Sequence, residues 1–105
     1  MTTTSETTTI EIVEFRLGRG TGAAFVAANQ PLNEWLKAQP GFVNRQLAER
    51  DDGSYIDVLI WSSRSDAEAA ASKVMNAFGE ADAMTMIDPE SIRMSHAAIM
   101  MSLAQ

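Results

Sequence analysis

The chain of 105 residues contains no cysteine. That excludes disulfides, thiolate metal ligands and thiol nucleophiles together, and it is the usage expected of an intracellular protein. Histidine is nearly absent too. His96 is the single one, so a side chain that titrates near neutrality without perturbation occurs at one position only. Basic residues are few: eight Lys and Arg stand against fourteen Asp and Glu, a net charge of −6. They are scattered rather than gathered into a patch that could neutralise phosphates, so nucleic acid is not an expected partner. No apolar run approaches the roughly 18 residues of a membrane span. The N-terminus lacks the basic-then-apolar layout of a signal peptide, and the expected location is cytoplasmic, away from membranes. The glycines of GRGTG, residues 18–22, have the wrong spacing for either nucleotide fingerprint and no lysine follows them. No dinucleotide and no metal is implied as a cofactor.

What is present fits one domain, for 105 residues with 46% hydrophobic content is an ordinary globular chain. A chain this short buries a limited share of its surface alone, which favours pairing with a second copy. Residues 1–9, MTTTSETTT, are polar and predict a flexible tail, with an extension of the first strand as the alternative. Strand composition follows over 10–17. Phe25, Ala28, Leu32, Trp35 and Leu36 recur at helical spacing within 21–39. Pro31 lies inside this helix and predicts either a kink near 27–31 or a restart with the proline in the first turn. The segment QPGF, residues 39–42, then ends the helix, because the residue before proline avoids helical geometry and Gly41 permits a sharp reversal.

An alternating strand over 42–50, the turn residues Asp51, Asp52 and Gly53, and a strand over 55–61 read as an antiparallel hairpin. Ser65 with Glu68 reads as a capping box for a helix over 66–78, closed by Gly79. Residues 82–91 read as a loop and 92–101 as the last strand. The order β-α-β-β-α-β predicts an α+β, ferredoxin-like fold: a four-stranded antiparallel sheet with both helices on one face. The domain is expected to span 10–105.

Strand alternation then assigns faces. Val13, Phe15 and Leu17 form one set of the first strand; Ile10, Ile12, Glu14 and Arg16 form the other. In the third strand Ile56, Val58 and Ile60 oppose Tyr55, Asp57, Leu59 and Trp61. The wholly apolar sets are expected against the helices. The mixed face, with Glu14, Arg16, Asp57 and Trp61, suits a wall covered by a partner subunit around a cavity. In the second strand either Phe42, Asn44 and Gln46 or Val43, Arg45 and Leu47 face inward, and a single bulge would swap the sets. The inward face of the last strand, and with it His96, stays open.

The helix ending LKAQPGF, the strand FVNRQLAERDDG and the segment VLIWSSRSDAEAA resemble the antibiotic biosynthesis monooxygenase group of the dimeric α+β barrel superfamily. The resemblance covers nearly the whole chain from Ile10. It implies two ferredoxin-like monomers stacked sheet to sheet, with ligands between sheet and helices or inside the barrel. Haem-degrading members of the group carry an asparagine on the first strand, a tryptophan ending the third and a histidine on the second helix; here only Trp61 matches. Quinone-forming members carry an amide four positions before that tryptophan. Here that position is Asp57, whose carboxylate suits a general base better than a hydrogen-bond donor.

Two functions follow as expectations. One is a cofactor-independent monooxygenase-like enzyme acting on a hydrophobic aromatic or polyketide-like molecule, with Asp57 or His96 as base and Trp61 as platform. Tyr55, Leu59, Glu14, Arg16 and Asn44 are its further candidate ligand contacts. An oxygenase without a cofactor draws electrons from its own substrate, which restricts it to electron-rich rings. The other is a dimeric module that binds or senses a small molecule without turnover. Each candidate has a structural alternative: Trp61 as a core or interface anchor, Asp57 as the salt-bridge partner of Arg16 or Arg45, His96 as a packed structural residue. Met75, Met84, Met86, Met94, Met100 and Met101 serve either an adaptable pocket or ordinary packing.

Overall fold

The computed structural model describes residues 8–105. Four strands, β1 (Thr9–Phe15), β2 (Phe42–Glu49), β3 (Tyr55–Trp61) and β4 (Arg93–Ala98), form one antiparallel sheet in the order β2-β3-β1-β4. Helices α1 (Gly22–Ala28), α2 (Gln30–Lys37), α3 (Arg64–Phe78) and α4 (Asp82–Met86) accompany it, with a 3-10 turn at Pro89–Ser91. This is the expected ferredoxin-like α+β architecture. Of the tail expected over 1–9, residues 1–7 lie outside the described residues. Thr9 is not tail: it opens β1 and is buried.

The chain breaks its first helix where proline demands it. Of the two alternatives the restart is realised, with Pro31 in the first turn of α2, where its missing N–H has no intrahelical partner to lose. Asn29 sits at the junction and its amide Nδ2 donates to the Phe25 carbonyl at 2.9 Å. After α2, Gly41 takes φ of +81°, and its carbonyl accepts from Ser62 N at 2.7 Å, tying the end of α2 to the end of β3. A Cβ at Gly41 would collide with the Asp66 carboxylate, so the turn requires glycine on both counts.

Three boundaries move for local reasons. Helix α3 starts two residues earlier than the Ser65 signal suggests, because Ser63 is the cap and its Oγ accepts from Asp66 N at 3.0 Å. The stretch expected as a loop over 82–91 contains α4, which turns Ala83 and Met86 into the core. Leu17 leaves β1 to pair with Ile87 just beyond that helix. Strand β4 ends at Ala98, short of the expected 101, and Met100, Met101 and Leu103 are exposed.

The face assignment of β3 is reversed. Tyr55, Asp57, Leu59 and Trp61 are buried under the helices, while Ile56, Val58 and Ile60 face away and are half-buried. In β1 Phe15 points to the helices as expected, and period-two alternation brings Val13, Glu11 and Thr9 with it. Glu14 and Arg16 therefore lie on the opposite face from Asp57 and Trp61. A register shift between Phe42 and Asn44 is the bulge foreseen in β2: it turns Phe42 inward together with Arg45 and Leu47, opposite Trp61, Leu59 and Asp57. Beneath the helices the core forms two clusters. Leu32, Leu36, Leu59, Trp61, Ala67 and Ala70 make one; Phe15, Phe25, Tyr55, Ala83 and Met86 make the other.

Candidate functional site

A cavity of about 280 Å³ lies between the inner face of the sheet and the helices, walled by members of both core clusters. Its lining is overwhelmingly apolar. Helix α2 contributes Leu32, Trp35 and Leu36; α3 contributes Ala70, Ala71, Val74 and Met75; α4 contributes Ala83 and Met84. The sheet supplies Leu59 and Trp61 together with the polar minority: Glu11, Arg45 and Asp57, joined by Asn29 from the junction of α1 and α2. Met75, Met84 and Met94 line it, whereas Met86 packs in the core and Met100 and Met101 do not reach it.

The strand register explains why those polar groups meet. His96, Glu11, Leu59 and Arg45 occupy one row across the four strands. Asp57 and Trp61 stand two residues either side of Leu59, so they are diagonal neighbours of Arg45 and Glu11 on the same face. Leu59 splits the row into two clusters.

In the first cluster Arg45 grips Asp57 in a fork. Its Nε donates at 3.0 and 3.2 Å to the two carboxylate oxygens, and its Nη2 donates at 2.7 Å to Oδ2. The remaining donors of Arg45 reach Asn33 Oδ1 at 2.7 Å and Asn29 Oδ1 at 2.8 Å. Both charged side chains are about nine-tenths buried. Such a bidentate, charge-assisted pair fixes geometry, and a guanidinium is a permanent cation in a protein. A proton placed on Asp57 would leave that charge uncompensated in the interior.

In the second cluster Glu11, 4% exposed, receives the Trp61 indole Nε1–H on Oε1 at 2.8 Å. Its Oε2 lies 3.3 Å from His96 Nε2, an ion-pair distance without hydrogen-bond alignment, and that nitrogen is buried with no hydrogen-bond partner among the described residues. Trp61 itself is 1% exposed and braced edge-on by Phe42, with ring centroids 5.5 Å apart.

The residues singled out from sequence are thus divided. Trp61, Leu59 and Asp57 line the cavity, and His96 stands behind Glu11 on the edge strand. Tyr55 does not line it: its ring stacks on Phe15 in the second core cluster, centroids 5.7 Å apart. Burial, with the nearby Glu49 carboxylate adding to it, pushes the Tyr55 hydroxyl above its ordinary value. Glu14, Arg16 and Asn44 belong to the far face or its margin. Glu14 pairs with Arg50 at 2.6 Å, Arg16 pairs with Asp52 at 3.3 Å, and Asn44 is exposed opposite Ile60. Glu11, Arg45, Asn29 and Asn33 are the polar groups that the site uses and the candidate set omits. Counting back by twos from Phe15 through Val13 finds Glu11 at once.

No group of three or more His, Asp or Glu side chains among the described residues is arranged to hold a metal ion. The iron-holding histidine of the haem-degrading pattern has no counterpart here: α3 carries no histidine, and His96 does not line the cavity.

No family model matches the chain, and no curated protein does. Solved structures do. SnoaB, a cofactor-independent oxygenase from Streptomyces nogalater, is 17% identical, with 94% of this chain and 99% of that one covered at a TM-score of 0.71. A Nitrosomonas europaea protein, provisionally assigned as an antibiotic biosynthesis monooxygenase, is 14% identical over 95% and 96% of the two chains at 0.70. The likeness is one of fold, the ferredoxin-like arrangement described above. A dimeric ferredoxin-like protein from an uncultured marine organism shares it as well, 11% identical over 95% and 94% of the chains at 0.70. Among the described residues no helix is long and apolar enough to cross a membrane.

Proposed function

We propose that the protein is a cofactor-independent monooxygenase-like enzyme whose substrate is a compact, hydroxylated aromatic molecule of the kind made by polyketide assembly. The observation that carries this reading is the cavity itself: an apolar chamber with one buried indole and two buried carboxylates on a single wall. A planar ring gains from burial against the side chains of α2 and α3, and the few polar groups orient its substituents. An engineered apolar cavity of roughly 150 Å³ holds one benzene ring. A chamber of about 280 Å³ therefore suits two fused rings. Deprotonation makes such a ring electron-rich enough to reduce dioxygen directly, so that the electrons come from the substrate. Trp61 serves as the platform, with Leu59 beside it.

The protein acts as a homodimer on this reading. Ile10, Ile12, Ile56, Val58 and Ile60 form an aliphatic stripe on the sheet face that the helices leave open, and a second copy would cover it. The oligomeric state follows from native mass spectrometry, where a subunit mass of 11.4 kDa alone at micromolar concentration would contradict the pairing.

A second reading, a binding or sensing module without turnover, is favoured by one observation. Asp57, a candidate base, has both oxygens committed to Arg45. The two readings separate with 1,5-dihydroxynaphthalene and an oxygen electrode. The enzyme takes up one dioxygen per substrate, placing one oxygen atom on the ring as the hydroxynaphthoquinone and releasing the other as water. Saturable binding with no oxygen uptake above the uncatalysed rate, for this and related electron-rich bicyclic phenols, would leave the binding module.

A further inference from the structure

We propose that Glu11 takes the proton from a ring hydroxyl of the ligand and that His96 receives it from Glu11; this rests on the cavity holding a hydroxylated ring. Glu11 is the carboxylate that lines the cavity with neutral or titratable partners: the Trp61 N–H on Oε1 and His96 Nε2 at 3.3 Å from Oε2. Each carboxylate oxygen accepts more than one hydrogen bond, so acceptor capacity remains for a hydroxyl entering the cavity. His96 Nε2 is buried without an aligned hydrogen bond, an exception among buried polar atoms that calls for a role. Receiving a proton supplies that role, because protonation turns a near contact into a charge-assisted pair.

Asp57 cannot do the same work. Its partner is a guanidinium that keeps its proton, so a proton on Asp57 has nowhere to go and leaves Arg45 unpaired. Among the described residues, the other side chains facing Glu11 are uncharged. Strand β3 faces it with Leu59 and Trp61, β4 with Met94 and His96, and α3 with Ala70, Ala71 and Val74; the Arg45–Asp57 pair beyond Leu59 is neutral overall. In the step, the ligand's O–H bond breaks and its electron pair stays on oxygen. The proton passes through the Glu11 carboxylate to form the N–H bond on His96 Nε2, the neutral imidazole having carried its one proton on Nδ1. The site ends with a carboxylate beside an imidazolium and the ligand as an anion, with total charge unchanged. Dioxygen is the oxidant that then takes electrons from that anion.

The test uses 7-hydroxycoumarin, a bicyclic phenol whose anion and neutral form absorb at different wavelengths, and so does not depend on turnover. Bound to the parent protein, its half-ionisation is expected at least ~1 pH unit below that of the free dye, a tenfold bias toward the anion. Glu11→Gln keeps the acceptor for Trp61 and cannot take a proton, so the bias disappears. His96→Asn leaves Glu11 in place and removes the proton's destination, so the bound dye keeps its proton and the bias is lost here too; it carries the same test if Glu11→Gln fails to fold. With 1,5-dihydroxynaphthalene, Glu11→Gln lowers turnover by ~100-fold, the scale of a lost general base. Equal ionisation of the bound dye in the parent and in both variants overturns this assignment and leaves the cavity reading standing. Failure of the parent to bind the dye at all overturns both.

Discussion

Two carboxylates on one wall of the same cavity, Asp57 and Glu11, sit in opposite electrostatic settings. Asp57 is clamped by a bidentate guanidinium that two asparagines hold in plane. Glu11 is touched by an indole N–H and faced by an imidazole out of hydrogen-bond alignment. A carboxylate paired with a permanent cation is a structural brace, because any change of its charge strands the partner. One paired with a titratable group can exchange protons with it. Burial and residue type are nearly the same in the two cases, so the partner decides the role.

The largest effect expected from breaking this contrast is on stability. Arg45→Met leaves Asp57 buried and uncompensated and should destabilise the fold by ~3–5 kcal/mol, measured by urea denaturation. Arg45→Met with Asp57→Leu should recover most of that loss, as replacing a buried pair by apolar groups is often neutral. If the double variant is no more stable than the single one, the pair is not the brace described. On the other side of Leu59, Trp61→Phe removes one neutral donor from Glu11 and should cost ~1–3 kcal/mol in the same titration, less than Arg45→Met. A larger loss than for Arg45→Met would reverse the ranking of the clusters.

The contrast extends to the two faces of the sheet. Val58→Lys places a charge in the open aliphatic stripe without touching the cavity. It should shift the sedimentation of the protein from dimer to monomer while the isolated subunit keeps its far-ultraviolet circular dichroism. An unchanged sedimentation coefficient would move the dimer contact elsewhere. The smallest effect concerns Tyr55, whose hydroxyl titrates above the ordinary 10.0 because it is buried. The folded state then holds its proton more tightly than the unfolded chain, so this contribution is intact below pH 10 and is lost as pH rises through the raised value. Tyr55→Phe should flatten the fall in melting temperature on the alkaline side of that point, and an identical alkaline slope would count against a buried hydroxyl.

The order of strands and helices was legible because its signals are local: QPGF at the end of α2, DDG in the hairpin, alanine-rich periodicity in α3. Faces were not. Ile56, Val58 and Ile60 are more apolar than Tyr55, Asp57, Leu59 and Trp61, yet the second set is the one under the helices. Apolarity marks the helix side only when the other side meets water, and this sheet keeps a half-buried aliphatic stripe on its open face. Polar groups gather under the helices because a cavity is there. Partner choice was illegible for another reason: Arg16 falls on the face opposite Asp57 by the alternation of β1, and Arg45 reaches Asp57 only because the bulge between Phe42 and Asn44 turns it inward, which no residue type signals. Likewise Glu11 and His96 become neighbours only through the register of β1 and β4.

The central claim is that the cavity receives a hydroxylated ring with its hydroxyl on Glu11. A crystal structure of the protein with 7-hydroxycoumarin bound tests it most directly. The ring is expected between Trp61 and α3, with the hydroxyl oxygen at hydrogen-bond distance, ~2.6–3.2 Å, from a Glu11 oxygen. A hydroxyl bound to Asp57 and Arg45 instead, or a dye seated on the open sheet face, would contradict it.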